Sequence, residues 1–278
     1  MGLFNTQAKR QKALTKVLGS AELPALPRSV IELLDVLRDD ESSLEAITES
    51  LQQDPEVVSR VLRIVNSAAF GLRQGVNSVP HAIHLMGRAN LNSLVLGFSV
   101  SRVLPKGGAM GFDHKKYITV AVRRAALAKE FASRIHPATQ AEDFTAALLQ
   151  DMAIPLLAYA KPEAYASILS DWGASEDAHL EEIETAALGW DHGEIGAAVA
   201  ESWNLPASLT ESIGSHHAAE SVATPAVRIA SLMRTKTGHT ENEELIECAR
   251  GFGVDPDWSV ETIERSGDQT SELANLMG

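Results

Sequence analysis

Apolar residues recur at intervals of three and four along most of the chain, the spacing that places them on one face of an α-helix. The segment RSVIELLDVL shows this spacing at Val30, Leu33, Leu34 and Leu37. No segment shows the strict alternation and β-branched enrichment of a sheet strand. The pattern therefore predicts an all-α protein.

Capping signals divide this pattern into separate helices. Ser42 and Glu45 form a capping box for a helix that runs through Leu51. Asp54 followed by Pro55 marks the next start, because aspartate accepts from the first backbone N–H groups and proline suits the first helical turn. The sequence thus predicts two consecutive helices in this region.

Further helices are predicted along the rest of the chain. Pro155 lies inside one of them and is expected to kink it or to end it early. A glycine-rich turn, KGGAMG at 106–111, marks the best internal boundary. The predicted helices lie near 79–86, 90–104, 115–135, 143–159, 177–189, 192–203, 206–217 and 222–237, with short ones near 242–250 and 257–265.

The domain organisation predicted from these elements has three parts. Residues 1–19 form an N-terminal extension, and residues 221–278 form a C-terminal helical extension. Between them, residues 20–220 form one domain made of two packed helical bundles, at about 20–105 and about 112–220. The expected architecture is a multi-helix domain followed by C-terminal helices.

Composition narrows the class of protein. Apolar residues make up 45% of the 278 residues, which is typical of a globular chain with a filled core. No apolar run is long enough to span a bilayer, so no membrane role is expected. The single cysteine, Cys248, cannot form an internal disulfide, which indicates a reducing compartment and predicts a cytoplasmic protein.

Charge is unevenly distributed along the chain. The formal net charge is −13, yet the segment from Val57 to Lys129 holds eleven basic residues and a single acid, Asp113. A basic segment of this kind can hold anions or orient a partner, and it can also pair with acids of the same chain. The candidates for such a surface are Arg60, Arg63, Arg73, Arg88, Arg123 and Arg124.

Ordered motifs between about residues 20 and 220 resemble the HDOD domain, the HD-related output domain. In the first half they are Leu26-Pro27, Asp54-Pro55, Asn66-Ser67, Phe70-Gly71, Ala82, Leu85 and Gly87. In the second half they are Glu184, Leu188-Gly189, Asp191-His192, Gly196, Trp203, Leu205-Pro206 and His216-His217. The resemblance implies an HD-like fold and a bacterial, cytoplasmic regulatory module without a general enzymatic activity.

The related HD phosphohydrolases hold divalent metal with an adjacent His-Asp pair and a further histidine on the preceding helix. The corresponding pair here is Gln150-Asp151, and the candidate preceding helix, 115–135, contains no histidine. A neutral amide is a weaker metal ligand than an imidazole. The resemblance therefore implies that two ligands are missing, and we expect no catalysis and no cofactor.

Four remnant candidates for metal binding remain: Asp151, His192, His216 and His217. An aspartate with two or three imidazoles can still make an open site for iron, manganese or zinc. The structural alternatives carry more weight: a hydrogen bond or an arginine ion pair for Asp151, a place beside a capping acid for His192, and a helix end for the other two histidines.

The leading functional hypothesis is a non-catalytic signal-transduction protein that binds other signalling proteins and is gated by a small ligand, for which a cyclic dinucleotide is one candidate. The alternative is a divergent metal-dependent phosphohydrolase that acts on nucleotides or cyclic dinucleotides. Residues 78–96 also have a helix-turn-helix spacing, but NLNSLVLGFSV is too apolar for a recognition helix. A nucleic-acid partner is therefore not expected.

Overall fold

The computed structural model describes residues 2–19, 22–66, 75–174, 178–218, 223–233 and 240–277. These residues form helices and no strand, which confirms the all-α prediction. The helices are α1 (Gly2–Leu18), α2 (Arg28–Arg38), α3 (Leu44–Gln52), α4 (Pro55–Val65), α5 (Val79–Met86), α6 (Arg88–Val103), α7 (His114–Ile135), α8 (Gln140–Leu149), α9 (Ala153–Ala160), α10 (Pro162–Ala174), α11 (Leu180–Leu188), α12 (His192–Ser202), α13 (Ala207–Ser215), α14 (Pro225–Ser231), α15 (Thr240–Gly251) and α16 (Pro256–Met277).

Of the two helix caps predicted in the N-terminal half, one is confirmed and the other is displaced by one residue. The Asp54 carboxylate accepts from the backbone N–H groups of Glu56 and Val57, as expected for the cap of α4. The cap of α3 is Ser43, which accepts from the N–H of Ala46, so the prediction of Ser42 was wrong by one residue. The Ser42 hydroxyl instead donates to the carboxylate of Asp39 at 3.0 Å.

The helix predicted over 143–159 is two helices. Helix α8 ends at Leu149, α9 begins at Ala153, and Pro155 lies in the first turn of α9, where no intrahelical N–H donor is needed. The predicted break therefore occurs, and Gln150 and Asp151 lie at the junction between the helices. Both side chains are buried there.

The C-terminal helices connect the two halves of the molecule. Helix α16 packs along α7 and also reaches α4 and α6 of the N-terminal bundle. At its end, the Ser101 hydroxyl donates to the backbone carbonyl of Met277 at 2.7 Å, and the Arg60 guanidinium donates to the carbonyl of Leu276. The sequence predicted only a short helix at 257–265, and it predicted none where α10 lies.

Helix α1 packs on the second bundle through α12. Its residues Ala13, Leu14 and Val17 are buried. Arg10 bridges two carboxylates of that bundle, with Nη1 at 3.0 Å from Glu201 and 2.9 Å from Glu211. The start of the chain is thus a packed helix. None of the helices in the described part of the chain is long and apolar enough to cross a lipid bilayer.

Candidate metal and ligand site

The four remnant candidates come together in the structure. Asp151, His192, His216 and His217 each offer one ligand atom, and these atoms lie within 4.8 Å of one another. They come from the α8–α9 junction, from the first residue of α12, and from the turn after α13. The sequence therefore identified the members of the cluster, although they are up to 66 positions apart along the chain.

Glu184 fixes the orientation of His192. Its carboxylate is fully buried and accepts from the backbone N–H of His192 at 2.8 Å and from Nδ1 of the same residue at 2.6 Å. The Tyr165 hydroxyl also donates to it. With Nδ1 held in this way, Nε2 points toward the cluster, as in sites where a carboxylate orients a metal-binding histidine.

The surroundings of His192 and His217 shift the pKa values of these two residues in opposite directions. Burial alone lowers the pKa of His192, but Glu184 and Asp151 raise that pKa well above its usual value. Burial, together with the neighbouring His216 and His192, lowers the pKa of His217. The Nε2 atoms of His192 and His217 lie 3.0 Å apart, so one of these two nitrogens donates to the other.

His216 presents an unpartnered nitrogen to the cluster. Its Nδ1 lies 2.7 Å from the carbonyl oxygen of Ile213, so Nδ1 must be the donor because a carbonyl can only accept. Its Nε2 is buried and makes no hydrogen bond with the described residues. That nitrogen lies 3.4 Å from Oδ1 of Asp151.

Arg124 of α7 pairs with the aspartate of the cluster. The buried guanidinium donates to Oδ2 of Asp151 and, from Nε, to the backbone carbonyl of Met233 at 2.9 Å. Burial alone would raise the pKa of Asp151, but Arg124 and the imidazoles of His192 and His216 hold it well below its usual value. The arginine ion pair considered from the sequence is therefore present.

The donor set fits one divalent metal ion. One carboxylate oxygen and three imidazoles are ligands that iron, manganese and zinc accept, and Nε2 of His216 faces the cluster without a hydrogen bond to a described residue. The other oxygen of Asp151 already accepts from Arg124, whose positive charge opposes a second cation beside it. A pair of metal ions bridged by Asp151 therefore does not fit these residues.

The helix predicted over 115–135 is longer at its start and therefore includes one histidine, His114. Helix α7 begins at His114, one residue before the predicted start. This ring lies against Phe112 and Tyr117 rather than in the cluster. It is ten residues from Arg124, or about 15 Å along a helix axis. Helix α7 thus contains a histidine and still presents an arginine to Asp151.

The other arginines proposed for an anion or partner surface do not join Arg124. Arg88 donates to the carbonyls of Asp39 and Ser42, and Arg123 donates to Ser266 and to the carbonyl of Ile263. Arg60 lies over the Phe98 ring and binds Leu276, and Arg63 donates to the carbonyl of Ser59. Arg73, like the motif residues Ser67, Phe70 and Gly71, lies outside the described residues. A partner surface on these arginines stays a prediction.

A cavity of about 350 Å³ opens onto the cluster. Its wall combines the cluster with cations and large apolar side chains, including Lys116, Tyr117, Ile154, Leu169, Trp172, Arg228, Leu232 and Cys248. Apart from the cluster and Arg124, the sequence did not identify the residues of this wall as members of a site. The lining residues come from seven helices, α7, α9, α10, α11, α12, α14 and α15, and no local motif indicates which of their faces meet.

A second, more open cleft reaches the histidines from another side. It is lined by His216 and His217 together with acidic residues of the α11–α12 region, namely Glu181, Glu182 and Asp191. His216 and His217 therefore line both the cavity and the cleft, and Glu181 is common to the two.

A family comparison agrees with this architecture. The family model of the HDOD domain matches residues 23–219. The chain belongs to the HDOD family. An uncharacterized protein of Treponema pallidum is 26% identical over 197 residues, which is 70% of this chain and 38% of that protein. The chain thus spans well under half of that relative.

Solved structures of HD-related proteins share the fold. A proposed phosphohydrolase of Shewanella amazonensis is 27% identical, with a TM-score of 0.76 over 96% of this chain and 98% of the other. A proposed signal-transduction protein of Marinobacter aquaeolei is 18% identical, with a TM-score of 0.75 over 98% of this chain and 66% of the other. The second likeness concerns the fold alone.

Proposed function

We propose that this HDOD chain is a non-catalytic regulatory protein of bacterial signal transduction that acts by binding other proteins. The observation that carries the proposal is the pairing of Arg124 with Asp151. A fixed guanidinium neutralises the carboxylate that, in the related hydrolases, belongs to the metal-binding His-Asp pair. The adjacent Gln150 offers only a neutral amide, and its Oε1 is buried without a hydrogen-bond partner among the described residues.

Phosphate-ester hydrolysis needs a metal to generate a nucleophile from water and to stabilise charge on the phosphate. A guanidinium can stabilise a phosphate oxyanion, but it cannot supply a coordinated hydroxide. Arg124 can therefore still stabilise charge on a phosphate, which is one of the two roles of the metal. The metal ligands needed for the other role, generating a nucleophile from water, are missing. Binding without turnover is the activity that these residues support best.

The cavity beside the pair supports a ligand-gated form of this function. Its volume of about 350 Å³ falls at the lower end of the range for small-molecule sites. Residues of the HDOD domain and of the C-terminal helices line it together. A ligand there would change the free energy of packing between the two, and so could alter a protein-binding surface. A cyclic dinucleotide is one candidate ligand.

We also propose a cytoplasmic location, because the chain has a single cysteine.

The test combines metal analysis with a turnover assay. The purified chain, supplied with manganese, iron or zinc, is expected to release no phosphate from nucleotides and no product from cyclic dinucleotides. The matched variant carries Gln150→His and Arg124→His, which restore the two imidazoles that the family resemblance implies are missing. The variant is expected to bind more metal than the parent chain. Stoichiometric metal with turnover in the parent, abolished by Asp151→Ala, would refute the non-catalytic proposal.

One observation favours a metal-dependent phosphohydrolase as the second candidate. The ligand atoms of Asp151, His192, His216 and His217 already lie within 4.8 Å of one another. A bound divalent ion would lower the pKa of a coordinated water. In that case Glu184 would hold His192 in place, and His192 would have to lose its proton to bind the ion. The turnover assay above distinguishes the two candidates.

A further inference from the structure

The lining of the cavity beside the cluster includes two cations, Lys116 and Arg228, that form no ion pair with a described residue. In the described part of the chain, neither Lys116 nor Arg228 lies within ion-pair distance of a carboxylate. The carboxylates of the cavity wall are engaged elsewhere. Asp113 caps α7 by accepting from the N–H of Lys116 at 3.0 Å, Asp151 pairs with Arg124, and Glu181 faces His217 at 3.6 Å.

Arg228 is placed at the cavity by apolar packing. Its guanidinium lies over the Phe252 ring, 5.7 Å from the ring centroid, and the residue is half-buried on α14. A partly desolvated guanidinium that leaves its donors available suits an anionic oxygen, because charge-assisted hydrogen bonds strengthen where water is excluded. Lys116 is on α7, another wall of the same cavity.

The remaining wall is largely apolar. Tyr117, Leu169 and Trp172 line the cavity, and its volume of about 350 Å³ exceeds what a bare phosphate or sulfate needs. An inorganic ion would leave this apolar surface in contact with water. A ligand that fills the cavity must therefore carry a substantial apolar part beside its acid group.

We propose that this cavity binds a small aromatic organic anion, whose acid group is held by Lys116 and Arg228 and whose ring packs on Tyr117 and Trp172. The inference rests on the proposed function, since it names the class of ligand that gates the module. Arg228 lies outside the residues that match the HDOD family, whereas Lys116 lies inside them. Such a ligand connects the domain to its C-terminal extension through one acid group.

The test measures binding of four probes to the full chain by calorimetry: 1-naphthyl phosphate, 1-naphthoate, neutral 1-naphthol and inorganic phosphate. One or both naphthyl acids are expected to bind at least tenfold more tightly than 1-naphthol and than inorganic phosphate. Equal affinity for 1-naphthol would show that the cations play no part. Equal affinity for inorganic phosphate would show that the cavity binds only the anionic group. The absence of a heat signal with either naphthyl acid at millimolar concentration would show that the cavity does not bind aromatic acids. Each of these three results overturns the proposal.

Matched variants locate the site. Lys116→Gln and Arg228→Gln are each expected to weaken naphthyl-acid binding about tenfold, equivalent to about 1.4 kcal/mol, and to leave 1-naphthol binding unchanged. The controls are Lys115→Gln, an equally exposed neighbour of Lys116 that does not line the cavity, and Arg250→Gln, at an arginine that pairs with Glu247 outside the cavity. Equal losses in the controls would refute the assignment.

The same experiment separates this proposal from the proposed function. Release of 1-naphthol from 1-naphthyl phosphate would refute the non-catalytic proposal and leave the binding site intact, because the phosphate ester would then be a bound substrate. If the naphthyl acids do not bind and no 1-naphthol is released, the proposed class of ligand is refuted but the non-catalytic proposal is not. The regulatory function would in that case depend on its protein partner.

Discussion

One carboxylate, that of Asp151, is shared between the guanidinium of Arg124 and a group of imidazoles. Its Oδ2 accepts from Arg124, and its Oδ1 faces Nε2 of His192 at 3.5 Å and Nε2 of His216 at 3.4 Å. A fixed cation and a partial metal-ligand set thus meet at a single side chain. The arrangement makes the stability of the second bundle depend on an ion pair that is nearly inaccessible to water.

Replacing Arg124 by methionine is expected to destabilise the protein by about 3–5 kcal/mol, because Asp151 would remain buried without its counter-charge. Urea unfolding at pH 7, followed by circular dichroism, measures the change. The control is Arg123→Met at the neighbouring position. Arg123 donates to a hydroxyl and a carbonyl, so its loss is expected to cost only about 1–2 kcal/mol.

The double variant Arg124→Met, Asp151→Leu extends this test. Removing both charges leaves no unpaired ion, so most of the lost stability is expected to return. Equal destabilisation by Arg124→Met and Arg123→Met would show that the buried Arg124–Asp151 pair contributes no more to the free energy of unfolding than the hydrogen bonds of Arg123.

The members of the site could be predicted from the sequence, but their relationship could not. Asp151 and the three histidines were found because each stands in a motif that resembles a family pattern. Arg124 was grouped with five other arginines of a basic segment, since composition does not show which of them faces a buried acid. The choice depends on how α7 is rotated against the α8–α9 junction. That rotation is set by packing between residues far apart in the chain.

The helices also divide into those that the sequence predicts and those that depend on distant contacts. Strong caps such as Asp54-Pro55 were located correctly, because capping depends on neighbouring residues only. Helix α10 was missed, and only Tyr165 and Ile168 of its residues are buried. The amphipathic pattern was therefore weak there. Helix α16 was predicted too short, because its second half is stabilised by contacts with the distant N-terminal bundle.

Substituting Glu184 by glutamine is expected to lower the pKa of His192, since the buried carboxylate is a main cause of the raised value. A histidine whose pKa is higher in the folded state contributes stability that is full below its unfolded pKa of about 6.5 and is lost as pH rises through the folded value. The stability difference between parent and variant should therefore be larger at pH 6 than at high pH.

Unfolding in urea at several pH values measures this difference, and NMR titration of the His192 ring measures the pKa directly. The control is Glu182→Gln, an exposed carboxylate on the same helix. An unchanged titration of His192 in the Glu184 variant would contradict the assigned role.

Asp143 should show pH dependence of the opposite kind from Asp151. Burial raises the pKa of Asp143 despite hydrogen bonds from Thr224 at 2.6 Å and Thr139 at 2.9 Å. A carboxyl whose pKa is higher in the folded state than its unfolded value of about 3.9 makes the protein more stable as pH falls from the folded value toward the unfolded one. Asp151, with its lowered pKa, instead contributes stability above the unfolded value and loses it as pH falls through its folded value.

Asp143→Asn is therefore expected to remove a gain in stability that the parent shows between pH 7 and pH 4. Urea unfolding across that range is the measurement. Glu142→Gln is the control, because Glu142 is the exposed neighbour on the same helix. If the parent and Asp143→Asn keep a constant difference in unfolding free energy over this range, the raised pKa is wrong.

Helix α6 packs tightly against Leu148 of α8 at Gly97. A Cβ at this position would lie 2.2 Å from Cδ2 of Leu148 and 3.2 Å from Cε of Met277. In an open helix, replacing glycine by alanine stabilises by about 0.5–1 kcal/mol. At Gly97 the overlap should outweigh this gain, so Gly97→Ala is expected to destabilise by about 1–3 kcal/mol.

Gly173→Ala on α10 provides the matched control, because nothing lies within 4 Å of its Cβ position. It is expected to leave stability unchanged or to raise it slightly. Adding Leu148→Ala to Gly97→Ala should remove the overlap, so the double variant should lose less stability than the two single changes together. Thermal unfolding of all four variants gives the comparison. Additive losses would show that α6 and α8 do not approach as closely as the Gly97 contact requires.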